Sequence, residues 1–277
     1  MTLAQIVWDV DPTIFKIGSF ELRWYGLFFA GGFLVGYQIM TKIFKTEGKS
    51  EKDMDALLIT MILSTVLGAR IGHYVFYEGN HFSEDPLKFI ADMLIPPYAG
   101  LASHGAGFGI VFALWLYARN RKDQTYLWIV DRIAIVVALT GFFIRFGNLM
   151  NSEIVGKPTD VPWAFTFMKN FEYLPAVPRH PSQLYEALSC LVLFFILYAI
   201  WNKYKSKTPD GLLSGIFFIW IFGLRFFYEF LKENQVAFEE GMKLNMGQIL
   251  SIPMVLFGIF LLMKGLKNKK MADQNAI

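Results

Sequence analysis

Long apolar runs, separated by short polar segments, recur along the whole chain. Residues 24–41, 99–118 and 244–263 contain no charged side chain, and 187–202 extends back through Leu184 and Tyr185 beyond the single charge of Glu186. Three further runs are interrupted: 56–77 by Arg70, 126–148 by Asp131, Arg132 and Arg145, and 211–232 by Arg225 and Glu229. A helix that crosses a bilayer needs roughly 20 largely apolar residues at about 1.5 Å each. Each run meets that length or comes close to it. The runs are apolar all round rather than on one stripe, so a large soluble helical core is excluded in favour of spanning helices. The pattern predicts an all-α polytopic membrane protein with seven transmembrane helices.

Charge placement orients these spans. Lys42, Lys45, Lys49 and Lys52 follow the first run, Arg119, Arg121 and Lys122 the third, Lys203, Lys205 and Lys207 the fifth, and Lys264, Lys267, Lys269 and Lys270 the seventh. By the positive-inside rule these alternate loops are cytoplasmic, which puts the N-terminus outside and the C-terminus in the cytoplasm. Residues 1–23 lack a basic start and a continuous apolar stretch, so they do not read as a cleaved signal. Trp8, Val10, Ile14, Phe15, Ile17 and Phe20 instead suggest an outer interfacial arm. Residues 149–182 hold Pro158, Pro162, Pro175, Pro178 and Pro181 and read as a small outer lobe within the 24–264 transmembrane domain. Residues 265–277 form a basic cytoplasmic tail, frayed from Asn268.

Composition agrees: 55% of the 277 residues are hydrophobic, 17% aromatic and only 18% charged, with a net charge of +3. That balance excludes disorder and a nucleic-acid-binding arm. Cys190 is the only cysteine, so no disulfide forms within the chain. It lies in an apolar run with no basic neighbour, as an inert core thiol does.

A charge near the middle of a spanning helix costs about 2.5–3.5 kcal/mol, and three arginines accept that cost. Arg70 and Arg225 each lie fourteen residues into an outward-running span, about 21 Å up a core of about 30 Å. Arg145 is nearer the outer end of its own span, while Tyr25 and His104 begin the first and third spans at that face. Five helices are therefore expected to bring polar groups to one level, towards the outer leaflet. Competing structural roles exist for each residue: Arg145 can snorkel to the headgroups, Arg225 and Glu229 can form an i, i+4 ion pair, and His104 can be a hydrogen-bonded core histidine. Their coincidence at one depth favours a site. Guanidinium matches phosphate in a planar, bidentate way and stays charged when partly desolvated, so a phospholipid headgroup is the expected ligand. Asn148 lies i+3 from Arg145 and Asn151 follows where the helix ends, so both amides can meet glycerol hydroxyls or ester oxygens.

Gly26, Gly31, Gly32 and Gly36 in the first span and Gly105 and Gly109 in the third follow small-xxx-small spacing, which points to close helix packing ahead of ligand contact. Other chemistries find no footing. His73, His81, His104 and His180 show no zinc-ligand spacing, no nucleophile elbow is present, and neither a metal nor a cofactor is expected. For a group-transfer enzyme the nucleophile then comes from the substrate. A transporter or flippase of an anionic lipid or solute is the alternative class. Buried arginines and glycine-rich helices suit it, but it should show a midplane site and paired repeats, and no repeat is evident.

Several of these residues fall in motifs that resemble the prolipoprotein diacylglyceryl transferases of bacterial plasma membranes. Arg145, Gly147, Asn148, Asn151, Glu153 and Gly156 match the spacing of that family's signature, and residues 179–186 are a second close match. Asp11 and Pro12, Trp24 to Gly26, Gly68 to Gly72, Ser103 to Gly105, Arg225 with Glu229, and residues 246–253 complete a resemblance over about residues 9–265. The chain departs from the pattern at Ile144 for a glycine, Ala106 for the second glycine after His104, Ile221 for a tyrosine, and Lys232 for an arginine. The resemblance implies transfer of the diacylglyceryl group of phosphatidylglycerol to the lipobox cysteine thiol of a preprolipoprotein signal peptide, at the outer leaflet of the plasma (inner) membrane. It implies roles in that chemistry for His104 as base and for Arg145 and Arg225 on the phosphate, with Arg70 supporting. Tyr25, Asn148, Asn151, Glu153, Gly156 and Glu229 would bind the lipid or orient the arginines.

Overall fold

The computed structural model describes residues 6–18, 20–78, 85–95, 100, 102–233 and 242–274. His81 and the first residue of the third expected span lie outside them. The helices are α1 (Trp24–Thr46), α2 (Glu51–Tyr77), α3 (Pro86–Leu94), α4 (Ser103–Arg119), α5 (Tyr126–Met150), α6 (Ser182–Tyr204), α7 (Leu212–Tyr228) and α8 (Met246–Gln274). Short strands accompany them: β1 (Ile6–Trp8), β2 (Thr13–Ile17), β3 (Phe20–Arg23), β4 (Phe165–Phe167) and β5 (Pro178–Arg179). Among the described residues α1, α2, α5, α6, α7 and α8 are long and apolar enough to cross a membrane, the architecture of a polytopic membrane protein. Helix α4, in the third expected span, has 17 described residues and is not one of these six.

The chain divides into two compact units, residues 41–130 and residues 1–40 with 131–277, whose boundaries fall inside α1 and α5. In the 41–130 unit, α2 and α4 meet through glycines. A β-carbon on Gly68 would lie 2.6 Å from the Gly105 carbonyl oxygen, and one on Gly109 would lie 2.7 Å from that of Ser64. The small-xxx-small spacing of α4 is therefore a backbone contact, as expected from the sequence. Gly105→Leu is expected to destabilise the detergent-solubilised protein by about 1–3 kcal/mol, read as a lower unfolding midpoint. Gly107→Ala, whose added methyl would meet nothing within 4 Å, is expected to leave the midpoint unchanged.

At one end of this unit Asp53 holds the 117–124 turn. It accepts from Arg121 Nε at 2.7 Å and from Gln124 Nε2 at 3.0 Å, while Ser50 caps α2 by accepting from the Asp53 amide. Helix α3 lies outside the seven runs that the sequence marks as spans. Asp85 caps its start, accepting from the Lys88 amide at 3.0 Å, and Pro86 supplies the preset first turn.

The second unit joins the upper part of α1 to α5, α6, α7 and α8. Gly32 and Gly36 let α1 approach α5, with β-carbon positions 3.2 Å from Thr140 Cγ2 and 3.6 Å from Val136 Cβ. Asp131, which reads in sequence as an intruder in an apolar run, is 0% exposed and caps α7. Its carboxylate accepts from the backbone amides of Gly211 and Ser214, each at 2.8 Å, and from Ser214 Oγ at 2.6 Å. A helix N-terminus offers unpaired amides and a positive dipole end, so this buried charge has the partners it needs. Gly211 takes φ 94°, in the left-handed region that favours glycine.

Between α5 and α6 the chain forms a short sheet, and the N-terminal strand β1 joins it. β1 pairs in parallel with β4, and β5 pairs antiparallel on the other side of β4. Leu149, Val155, Phe165 and Phe167 form its core, with Trp8 packed against them and donating Nε1–H to the Leu149 carbonyl at 3.0 Å. The remaining arm residues form the β2–β3 hairpin. At the other terminus α8 runs past Asn268 to Gln274, where the sequence suggests a frayed tail; Lys269 Nζ donates to Tyr204 Oη at 2.9 Å and ties that extension to α6.

Candidate active site

Helix α5 ends in a reversal that gathers most of the expected polar residues of its signature. Arg145 Nη1 donates to Asn148 Oδ1 at 3.3 Å, one turn on. The backbone then turns back through Ser152 at φ 53° and Ile154 at φ 57°, left-handed values that are strained for a β-branched residue. Three side chains hold that strain by donating to successive carbonyls: Asn170 to Ser152 at 2.7 Å, Gln183 to Glu153 at 2.6 Å and Ser182 to Ile154 at 2.7 Å. The reversal aims Glu153 back at the helix, where Oε1 accepts from Asn148 Nδ2 at 2.6 Å and Asn151 Nδ2 at 3.3 Å. Tyr25 lies against Gly147 between these residues, its Cδ2 2.9 Å from where a β-carbon would be.

Gly156 threads between two backbones. Its amide donates to the His180 carbonyl at 2.9 Å, and the next amide, of Lys157, donates to the Leu231 carbonyl at 2.7 Å. A β-carbon here would meet His180 Cβ at 2.6 Å and the Leu231 oxygen at 2.8 Å. Only glycine allows the strand to lie there, and the resulting bridge to Lys232 fixes that residue.

Lys232 is the hub of a chain of ion pairs. Its side chain is 4% exposed and pairs with both Glu186 Oε1 and, at 3.4 Å, Glu229 Oε1. Glu186 Oε2 holds Arg145 Nε at 2.5 Å, and Glu229 Oε1 lies 3.6 Å from Arg225 Nε. Three cations thus meet two carboxylates in the order Arg145, Glu186, Lys232, Glu229, Arg225, with Glu153 joined through Asn148. The i, i+4 pairing of Arg225 with Glu229 is real, but it is one link of this longer chain. Both arginines are gripped at Nε, and their side chains remain 28% and 40% exposed. Gripping a guanidinium at Nε fixes its plane while leaving terminal nitrogens for an anion.

Helix α8 supports Glu229 from below. Asn245 and Gln248 form a reciprocal cap at its start, with Gln248 N donating to Asn245 Oδ1 at 2.9 Å and Asn245 N to Gln248 Oε1 at 3.0 Å. Asn245 Nδ2 also donates to Glu229 Oε2 at 3.1 Å, and Gly247 leaves room for that carboxylate, whose Cδ lies 2.7 Å from the β-carbon position.

The 179–186 motif is largely accounted for by this scaffold. Arg179 Nη1 donates to the Gly156 carbonyl at 3.2 Å and meets Glu233 Oε1 at 2.5 Å. His180 Nδ1 is 3.1 Å from Tyr185 Oη, which accepts from Trp163 Nε1 at 2.8 Å; burial holds the His180 pKa below its ordinary value. Cys190 is buried, with Sγ 3.1 Å from the β-carbon position of Gly141, and serves as packing.

Of the residues expected from sequence, Tyr25, Arg145, Asn148, Asn151, Glu153, Gly156, Arg225 and Glu229 are in this unit, and every one touches the ion-pair chain or the reversal that frames it. His104 and Arg70 belong to the 41–130 unit. His104 is the second residue of α4 and is exposed within that unit. Arg70 donates to backbone carbonyls of its own unit. Sequence reasoning missed Glu186, Lys232, Ser182, Gln183 and Asn170 as site residues. Glu186 left a signal, as the lone carboxylate that interrupts the start of an apolar span.

Six long apolar helices with two part-exposed arginines over a buried ion-pair chain define a polytopic membrane protein. A sequence profile of the family described as Prolipoprotein diacylglyceryl transferase matches residues 12–264. The phosphatidylglycerol–prolipoprotein diacylglyceryl transferase of Tolumonas auensis is 42% identical over 265 residues, covering 96% of this chain and 99% of its own. Proteins of the same name from Chloroherpeton thalassium and Bacteroides fragilis are 41% and 42% identical, over 98% and 93% of this chain and 98% and 94% of theirs. The chain belongs to the prolipoprotein diacylglyceryl transferase family.

Proposed function

We propose that the protein transfers the diacylglyceryl group of phosphatidylglycerol to the lipobox cysteine thiol of preprolipoproteins. The observation that carries this reading is the pair of arginines held at Nε over the Glu186–Lys232–Glu229 bridge. The names of the relatives at 41–42% identity point to the same substrates.

In the proposed step the cysteine sulfur attacks the sp³ carbon of the diacylglyceryl group. The S–C bond of a thioether forms, the C–O bond to phosphate breaks, and glycerol phosphate leaves with that electron pair. No carbonyl is attacked, so no oxyanion hole is required. The barrier depends on forming a thiolate and on neutralising the second negative charge that develops on the phosphate. Arg145 and Arg225 take the phosphate. His104, the imidazole expected from the sequence, is the proposed acceptor of the thiol proton. Asn151 Oδ1 and Gln183 Oε1 are buried with no donor among the described residues, which suits the hydroxyls of a glycerol headgroup. Tyr25, Asn148, Glu153, Gly156 and Glu229 hold the arginines and the reversal in place.

The same reading sets the protein in a bacterial plasma (inner) membrane as a seven-span protein, with α4 as the third span, the N-terminus and lobe outside, the C-terminus in the cytoplasm, and the site towards the outer leaflet. The arm hairpin then lies on that leaflet, presenting exposed Phe15, Ile17 and Phe20.

Purified protein incubated with phosphatidylglycerol and a lipobox peptide is expected to raise the peptide's mass by one diacylglyceryl group. An unchanged peptide mass with folded protein would sink the reading.

A further inference from the structure

Arg70 is the most buried of the three arginines expected at the site, at 3% exposure, and its partners are of a different kind. Nη2 donates to the Asp92 carbonyl at 2.6 Å and to Tyr74 Oη at 3.1 Å. Nε donates to the Met93 carbonyl at 3.3 Å and Nη1 to the Gly100 carbonyl at 3.2 Å. The guanidinium also lies 4.5 Å over the Tyr74 ring. Asp92 and Met93 are in the last turn of α3, where carbonyls lack helical partners and the dipole is negative. Gly100 lies just before α4. One rigid fork therefore ties the end of one helix to the approach to the next.

The neighbouring contacts serve the same junction. The Ala102 amide donates to the Ala69 carbonyl at 3.0 Å. The His73 ring occupies the space that a side chain on Gly100, at φ 79°, would need. A β-carbon on Gly72 would lie 2.5 Å from Gly105 Cα, so α4 begins flush against α2. His104 lies within this first turn.

We propose that Arg70 is a positioning residue, a backbone clamp that fixes the first turn of α4 and with it His104. The proposal rests on the transferase reading, in which His104 takes the thiol proton. A phosphate ligand must present its terminal nitrogens to the anion, whereas every nitrogen of Arg70 has a carbonyl on it. Lysine can replace the charge of Arg70 but not its planar three-carbonyl reach.

Arg70→Gln and Arg70→Lys separate the possibilities. Both are expected to lower kcat by about tenfold or more while KM for phosphatidylglycerol stays within about twofold. In a His104→Gln background, Arg70→Gln is expected to add less than about a twofold further loss, because the two residues act through one group. Hydrogen exchange of the Ala102 and Ala106 amides is expected to accelerate in both Arg70 variants, a readout independent of transfer. A raised KM that Arg70→Lys restores would assign Arg70 to the phosphate and overturn the proposal. So would a fully additive loss with His104→Gln, or unchanged exchange at Ala102. If the unsubstituted protein shows no transfer, the transferase reading fails by itself, and the exchange data still decide whether the clamp exists.

Discussion

Arg145→Ala is expected to lower the rate of diacylglyceryl transfer by about 10³-fold or more, with the protein still folded and inserted in the membrane. Under the proposed mechanism the substitution removes a guanidinium assigned to the developing phosphate charge, and it frees Asn148 from the donor that orients it. Lys232 continues to neutralise Glu186, so no buried carboxylate is stranded and folding is spared. Arg145→Lys is expected to fail nearly as badly, since an ammonium cannot hold Glu186 through one edge and present another to phosphate. Arg225→Ala is expected to behave in the same way, with Glu229 still held by Lys232 and Asn245. Single-turnover transfer to a lipobox peptide, followed by mass, is the measurement. Unaltered rates in both alanine variants would remove the phosphate clamp from the mechanism.

Lys232→Met is expected to have the opposite profile, a large loss of stability with activity lost as a consequence. The ammonium lies between Glu186 and Glu229 at 4% exposure, and its removal leaves two buried carboxylates repelling each other across the gap, each still held on its far side by Arg145 or Arg225. Breaking a buried pair on one side costs about 3–5 kcal/mol, because the remaining charge has no solvent to turn to. Unfolding of the solubilised protein is expected to shift by that amount. Lys232→Arg keeps the charge and is expected to keep most of the stability. Adding Glu186→Gln to Lys232→Met is expected to recover part of the loss, since the repulsion between the two carboxylates is then gone. A Lys232→Met protein as stable as its parent would show that the hub carries no net stabilisation.

The membrane helices are legible in the sequence because an apolar run of about 20 residues has few other uses. Arg145, Arg225 and the asparagines are legible for the converse reason: a charge in such a run needs a cause. The exceptions follow the same physics. Asp131 reads in sequence only as a charge interrupting an apolar run, and its partners are two amides and a hydroxyl near residues 211–214, far along the chain. Glu186 and Lys232 each touch a residue on another segment, so their role exists only after α5, α6 and the 229–233 turn have met. Helix α3 is mostly apolar but only nine residues long, too short to read as a span. Arg70 is the instructive case. Sequence gives its depth, and depth alone cannot distinguish a ligand for phosphate from a ligand for carbonyls.

The cap that Asp131 places on α7 has a consequence at the opposite end of both helices. Asp131 to Arg145 is fourteen residues of α5, and Gly211 to Arg225 is also fourteen residues, running into α7 from the capped end. Joined at the Asp131–Gly211 hydrogen bond, the two helices are tines of equal length, about 21 Å each, and the arginines are their tips. The level at which the tips meet is thus gauged from the far end. A single residue inserted in one tine would lift its arginine by about 1.5 Å and swing it by about 100°, out of register with its twin. Loss of the Asp131 carboxylate would remove that gauge and shift the arginines relative to each other, though no residue beside them had been altered.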